Sequence, residues 1–581
     1  MTRTDTFVVG TLVALLALIA AVISVPSIQL AASPARPTPS VASIPDIVAR
    51  PYVEGVVGHP ESVSPLTART QADRDLVALV FSGLMRLGPG GTLVPDLAED
   101  WTVDKTGRTW TVDLRADARW QDGEPVTADD VVFTIETIQD PAYTGPGASS
   151  WNEVQVAASG PSRVTFTLKT PLGGFLQALT QPIVPAHLLG DVPVAALPSA
   201  AFGREPVGSG PFAVSDLSDT SVTLVPAEAL PVDQGGGPGQ GASATPGTPA
   251  TPGPTRRPSR PLPYLPGIEF RYYTDPQALA TDFRAGKLDG ASGLAPALAG
   301  ELAGEPGARS LRYPGSTLTA AVLNLRPGHP EFASAAVRTA LLAALDRGRM
   351  VSGPFAAAAT VAADPIPPSS ALFDAKADPP VAFNRSAATK ALRAAGWTRA
   401  ADGWHLPKAK KPLTIEVLSP TEASNPSLYA VAAAVVHDWA AIGLTVAHMP
   451  LPPGAFVADR LSVGKFQVAV ADLRIGLDPD LYPLLASSQT LSRGSNISGV
   501  QDPTLDGLLE QARAPGTMAA RTAAYSALQK RLAAGRYLLP LAFADEVVVF
   551  RDTVSGPSIH QVTDASDRFW DVLTWRLAVG R

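Results

Sequence analysis

The succession of apolar and polar positions cuts most of this chain into short helices and strands. From Arg69 onward Leu76, Val77, Val80, Phe81 and Leu84 recur at helical spacing, and Thr70 with Asp73 three residues later is a capping signal. Residues 109–114 alternate with period two. Trp110, Val112 and Leu114 face one way and Thr109, Thr111 and Asp113 the other, the pattern of a half-buried strand. Gln121-Asp122-Gly123 is a turn signal, after which Thr127 caps a helix with Val131, Val132, Ile135 and Ile138 on its inner face. Residues 163–169 read as another alternating strand. Farther on, the spacing predicts helices over 276–285, 333–346, 386–395, 429–440 and 521–532, and strands over 413–418, 466–470 and 546–550. Interleaved helices and strands predict mixed α/β layers, and no fixed-period repeat is present.

Two stretches break this patterning. Between Pro231 and Gly267, 18 of 37 residues are Pro or Gly, and the little apolar surface among them does not offset the entropy of ordering the chain. The core of this tract, 233–262, is expected to be a disordered insertion. Its glycines do not make a phosphate loop, because no strand leads in and no Lys follows. The second stretch, residues 7–25, is a run of 19 residues without a charge, long enough at about 1.5 Å per residue to cross a hydrocarbon layer of about 30 Å. Arg3 precedes it and Pro26 ends it. It is expected to be a transmembrane anchor, with residues 1–6 cytoplasmic and 26–50 a spacer. The alternative is a signal peptide cut near Ala31-Ala32. Either way the remainder of the chain is exported.

Composition narrows the chemistry. The 581 residues are 45% hydrophobic and 17% charged, as in a packed globular protein, and the 57 prolines are concentrated partly in the insertion. The net charge of −7 is spread without a basic stripe, so nucleic acid is not an expected partner. With no cysteine, the chain has no disulfide, thiolate metal site or cysteine nucleophile. The seven histidines form no metal-binding spacing. Gly208-Ser209-Gly210 lacks the spacing and partners of a nucleophile elbow. Asp478-Pro479-Asp480 reads as a turn before it reads as a cation site. No enzyme activity, metal or cofactor is expected.

The block Trp120-Gln-Asp-Gly-Glu-Pro-Val-Thr-Ala-Asp-Asp-Val-Val-Phe133 resembles the signature of the family 5 extracellular solute-binding proteins, the receptors for oligopeptides, dipeptides and nickel complexes that feed ABC importers. Leu93-Val-Pro-Asp-Leu-Ala-Glu-Asp-Trp101 and Trp110-Thr-Val-Asp-Leu-Arg115 precede it in family order. Val184-Pro-Ala-His-Leu-Leu189, Pro206-Val-Gly-Ser-Gly-Pro-Phe212, Ala285-Gly-Lys-Leu-Asp289, Val337-Arg-Thr-Ala-Leu341, Ala394-Ala-Gly-Trp397 and Ile497-Ser-Gly-Val-Gln-Asp-Pro-Thr-Leu-Asp506 follow it. The collinear match runs from about residue 52 to about residue 576.

The resemblance implies a two-lobed periplasmic-binding-protein-like α/β fold of the peptide-binding class, following the N-terminal helix. Lobe I would comprise 51–67, 183–317 and 540–581, with a domain inserted at 68–182, and lobe II would comprise 318–539. Crossovers near Thr317 and Pro540 would serve as the hinge. It further implies a monomeric receptor that encloses a small solute between the lobes and delivers it to ABC permease subunits; the alternative is a surface sensor that signals to a partner without transport. The candidate ligand residues are Asn324, Asp472, Arg474, Tyr482, Ser495, Asn496 and Trp151. Where peptide-binding relatives carry an aspartate for the ligand's α-ammonium, the matching stretch Ala471-Asp-Leu-Arg-Ile-Gly-Leu-Asp478 places Ile475 or Gly476, with Arg474 nearby. The expectation is weak binding of free-amine peptides and a preference for neutral or anionic solutes, with Arg474 as anion anchor unless Asp472 or Asp478 pairs with it.

Overall fold

The strand Tyr52–Val57, buried along nearly its whole length, forms the middle of a seven-stranded mixed sheet, in the order Ala308–Tyr313, Glu546–Arg551, Gly290–Ser292, Tyr52–Val57, Ile268–Tyr273, Ser221–Pro226, Phe212–Leu217. The structure, a computed structural model, describes residues 50–151, 153–227, 263–490 and 494–578. The apolar run at 7–25 and the insertion at 233–262 lie outside the described residues. Among the described residues no helix is long and apolar enough to cross a membrane.

One face of this sheet packs Val53, Ala291 and Val549 against Leu279 and Phe283 of the helix Pro276–Arg284 and Leu302 of the helix Pro296–Ala303. The other face carries Tyr52, Phe270 and Phe550, whose core runs on without a break into Trp110, Val112 and Phe166 of a four-stranded antiparallel sheet. That sheet contains Thr109–Leu114, with the alternating burial its sequence predicts. Both capping signals are also in place: Asp73 accepts from the Thr70 backbone and donates its own N–H to the Thr70 hydroxyl, and Asp130 accepts from Thr127. The block around Trp120 is a turn and a cap. Trp120 Nε1 donates to Asp130, and Gly123 has φ of 97°, a conformation that costs glycine little. Gln121 fastens the block to its surroundings, donating to the Phe212 carbonyl and accepting from Gly208 N–H. A Cβ on Gly208 would collide with the Val80 carbonyl, so the glycines around Ser209 serve a close backbone approach.

The second large sheet has six strands, in the order Ala359–Val361, Leu539–Ala544, Thr317–Leu323, Val468–Arg474, Thr414–Pro420, Thr445–Leu451. Both of its faces are covered. Val468, Val470 and Val417 meet Leu341, Leu392 and Trp439 on one side, while Ala469, Ala471 and Leu318 meet Leu509, Tyr525 and Leu528 on the other. The apolar run expected to end at Val470 therefore continues as strand to Arg474, because antiparallel pairing with Thr317–Leu323 extends through Thr317↔Arg474. The two sheets with their helices make two lobes. Among the described residues the chain passes between the sheets from Tyr313 to Thr317 and from Ala544 to Glu546. The second passage comes later than Pro540, which is itself paired with Ala320 inside the second sheet. The passages lie side by side: a Cβ on Gly315 would collide with the Ala544 carbonyl.

Behind the second sheet, Asp364 is fully buried and accepts from Ile366 N–H and Gln529 Nε2. Burial pushes its carboxyl up to about 6, and the hydrogen bonds only partly offset that. An acid whose folded pKa is raised stabilises the fold fully below its unfolded value of about 4 and loses that contribution as pH rises through about 6. The difference is worth about 3 kcal/mol. Urea titrations across pH 4 to 7 should show wild-type stability falling relative to Asp364→Asn through this window, then running parallel above it.

Candidate functional site

A cavity of about 450 Å³ opens beside the helix Gln71–Val80, whose Arg74, Val77 and Ala78 form one wall. The segment from Gln177 to Pro182 forms a second wall. A 3-10 helical segment, Ala565–Thr574, supplies Phe569 and Trp570. Among the lining residues, Arg474 comes from the six-stranded sheet and the others from the half of the molecule that holds the seven- and four-stranded sheets. The cavity is therefore a recess of the first lobe that the second lobe reaches through Arg474.

A buried ionic cluster fixes the wall that carries Trp570. Arg568 is 2% exposed at its side chain and donates 2.6 and 2.8 Å hydrogen bonds to Asp75 and one of 2.8 Å to Glu54. Glu54 also accepts from Tyr52 Oη and Ser292 Oγ, and Asp75 accepts from Gln71 Nε2. Burial lifts the Asp75 carboxyl above its ordinary value, with Arg568 acting against it. Two carboxylates thus share one guanidinium, and the neutral donors satisfy their remaining lone pairs. The cluster ties the first strand, the helix Gln71–Val80 and the C-terminal 3-10 segment together, and it sets where the cap of that segment, Asp564, stands.

Asp564 is the centre of charge in the cavity. Its oxygens accept from Gln71 Nε2 at 2.9 Å and Ser566 Oγ at 3.0 Å, lie 2.8 Å from Arg74 Nε, and lie 3.6 Å from Arg474 Nη1. Burial alone would raise this carboxyl, but Arg74, Gln71, Ser566 and Arg474 together hold it below the usual carboxylate value. Gln177 and Trp570 line the cavity, and their buried Oε1 and Nε1 atoms have no protein hydrogen-bond partner.

The residues singled out from the sequence scatter around this geometry. Arg474 and Trp151 line the cavity, although Trp151 is 2% exposed and packs mainly on Phe166 and Phe175. Arg474 is 65% exposed and pairs with neither Asp472 nor Asp478. Asp478 is held by Arg521 and Tyr525 instead, and Asp480 by Arg513, which makes the Asp-Pro-Asp turn structural. Asp472 shares the face of Arg474 on the same strand, accepts a 2.6 Å bond from Thr319 Oγ1, and is absent from the cavity lining. Its side chain is exposed, and partial desolvation raises its carboxyl against the Thr319 hydrogen bond.

Asn324 and Asn496 are fully buried, and their amides are spent on backbone. Asn324 donates to the carbonyls of Gly464 and Phe466, and Asn496 to those of Ala486 and Val500. Ser495 is exposed in the loop beside Asn496, and Tyr482 stacks under Arg513, 4.4 Å from ring centroid to guanidinium carbon. None of these four lines the cavity. The sequence reading missed Asp564, Arg74, Gln177 and Trp570. Asp564 with Asp567 is a capping box, a local signal that was there to be read, whereas the approach of Arg474 joins distant segments and leaves no local trace.

The model of the bacterial extracellular solute-binding proteins, family 5 Middle, matches residues 92–494 of the chain. Protein XP55 of Streptomyces lividans is 28% identical over 516 residues, covering 87% of this chain and 86% of that protein. The oligopeptide-binding protein AppA of Bacillus subtilis is 24% identical over 532 residues, covering 90% and 91%. The solved structure of that AppA with a nonapeptide superposes with a TM-score of 0.69 at 22% identity, covering 92% of this chain and all of that one. HbpA2 from Haemophilus parasuis gives 0.73 at 20% identity, covering 91% of this chain and all of that one. These two show the shared two-lobed fold.

Because Arg568 places the cavity wall, Arg568→Met should strand two buried carboxylates and cost on the order of 3–5 kcal/mol in chemical denaturation. A loss below about 1 kcal/mol would mean that apolar packing alone positions the C-terminal segment.

Proposed function

The chain belongs to the family 5 bacterial extracellular solute-binding proteins, and from that premise we propose how this member recognises its solute and where it works. It is a solute-binding receptor of the ABC-transporter class. This cavity is the capture site, and its volume suits a small molecule rather than a folded partner. The passages 313–317 and 544–546 act as the hinge, with the segment 68–182 moving as part of the first lobe, in keeping with their continuous core. Family members named for oligopeptides support a peptide-like or other small solute.

The charge preference follows from the rim. The position that holds the ammonium-binding carboxylate in peptide receptors is occupied here by Ile475, buried at 5% exposure, or Gly476, with φ of 84°. No carboxylate stands there, while the guanidinium of Arg474 lines the cavity. A buried ammonium without a carboxylate partner is costly to desolvate. Asp564, the carboxylate at the cavity, is already taken up by Arg74 and Arg474, so the solute favoured is neutral or anionic. Isothermal calorimetry with free-amine di- to pentapeptides against their N-acetylated and acidic counterparts should give affinity for the latter only, reduced by blocking the cavity with Ala78→Trp. Sub-micromolar binding of a free-amine peptide, abolished by Asp472→Asn, would contradict this preference.

The uncharged run 7–25 tethers the receptor to the outer face of the cytoplasmic membrane. Most full-length protein should then sediment with membranes, and removal of residues 1–45 should release a folded soluble receptor. A mature N-terminus found beyond Ala31 by mass spectrometry would instead make the segment a cleaved signal.

A further inference from the structure

The inserted domain meets the second lobe at a point of its own. The backbone N–H of Gly173 donates a 2.7 Å hydrogen bond to the carbonyl of Arg513, which ends the helix Pro503–Arg513. Beside it, Gly174 abuts the side chain of Asp478, and Gly107 abuts the ring of Pro515. Each side is rooted in a separate core, Phe175 in that of the first lobe and Leu509 and Ala512 in that of the second. Among the described residues, no backbone hydrogen bond ties 171–174 or 513–515 to the passages 313–317 and 544–546 or to the segment 560–564 beside them. Separation of the lobes therefore parts Gly173 from Arg513.

Two of these glycines are required by the opposite lobe and not by their own. Neither Gly173 nor Gly174 has a positive φ. The atoms nearest to a Cβ on Gly173 would be the Ala514 carbonyl oxygen at 2.9 Å, its carbon at 3.2 Å and the Arg513 oxygen at 3.3 Å. On Gly174 all three would belong to Asp478, at 2.7 to 3.0 Å, and that side chain is held in place by Arg521 and Tyr525. The Arg513 carbonyl, at a helix end, has no intrahelical donor, so the Gly173 N–H supplies the one it lacks. The same segment runs straight on into the cavity wall: Gln177 N–H donates to the Gly174 carbonyl, and Gln177, Ala178 and Thr180 line the cavity.

We propose that Gly173 and Gly174 are positioning residues for lobe closure: the inserted domain is the surface on which the second lobe docks, and these two glycines set how near it comes. The open receptor accommodates a methyl group at either position and the closed one does not. Substitution therefore acts on the balance between open and closed, leaving each lobe as stable as before. Loss of one such hydrogen bond and its close approach corresponds to about a three- to tenfold fall in the closed-to-open ratio. The proposal rests on the hinge motion assigned to 313–317 and 544–546, and not on which solute the cavity takes.

The chain has no cysteine, so an introduced pair reports closure by its rate of oxidation. A Cβ on Gly107 lies 3.3 Å from the Cβ of Pro515, close to the disulfide mean of about 3.8 Å. Full-length receptor carrying Gly107→Cys and Pro515→Cys should form this disulfide without solute. Adding Gly173→Ala or Gly174→Ala should slow its formation about three- to tenfold. In an Asp478→Gly background Gly174→Ala should have no further effect, since the atoms it would strike are gone, whereas an effect confined to the first lobe would persist there. Urea midpoints of Gly173→Ala and Gly174→Ala, without the cysteines, should match that of the wild type. Unchanged oxidation rates with unchanged midpoints, or an equal effect of Gly174→Ala in both backgrounds, would overturn the docking role while leaving the hinge standing. Unchanged rates with a lowered midpoint would mean that the lobes do not part, which contradicts the hinge and the proposal with it.

Discussion

The buried triad of Arg568, Glu54 and Asp75 is the constraint on which the rest of the site depends. Each partner comes from a different part of the chain, the first strand, the first described helix and the C-terminal segment, and none is exposed enough to be satisfied by water. A buried ion pair is weak evidence of stability, because well-packed apolar residues can do as well. What the triad supplies is placement. Guanidinium geometry fixes the C-terminal segment in rotation as well as in position, since Arg568 meets both oxygens of Asp75 and one of Glu54. Asp564, four residues before Arg568, is delivered by that placement to the mouth of the cavity.

From there the logic of the site is one of graded commitment. Deep in the site, Arg568 spends both terminal nitrogens on Asp75 and Glu54. Asp564 at the next layer is shared between a firm partner, Arg74, and a loose one, Arg474. In the lining residues Gln177 and Trp570, the buried Oε1 and Nε1 atoms have no protein partner. Pairing loosens from the buried triad to the exposed Arg474 beside the cavity, a rigid frame beneath a more adaptable rim.

Much of the frame was legible in the sequence, because it rests on local physics. Period-two alternation located Thr109–Leu114, and the Thr70/Asp73 and Thr127/Asp130 spacings located two helix starts. The family resemblance supplied the two-lobed arrangement, which no local pattern encodes. The site was harder. Asn324 ends an apolar run near the expected hinge and Asn496 stands in a polar loop, but buried amides are as useful for satisfying orphan carbonyls as for binding ligand, and here they do the former. The apolar run predicts a strand only as far as Val470, which leaves Asp472 and Arg474 beyond its end. The strand nevertheless continues, since pairing does not need apolar side chains where the covering helices stop. The ion pairs of Arg568 and Arg474 join residues too far apart in sequence for any window to reveal.

Native mass spectrometry of the soluble receptor, residues 46–581, purified from the organism that makes it, tests the central claim most directly. A receptor with a capture cavity should carry an adduct of a few hundred daltons that is absent when Ala78→Trp fills the space. An adduct that persists in the filled variant would place the solute elsewhere and contradict the assignment of this cavity as the capture site.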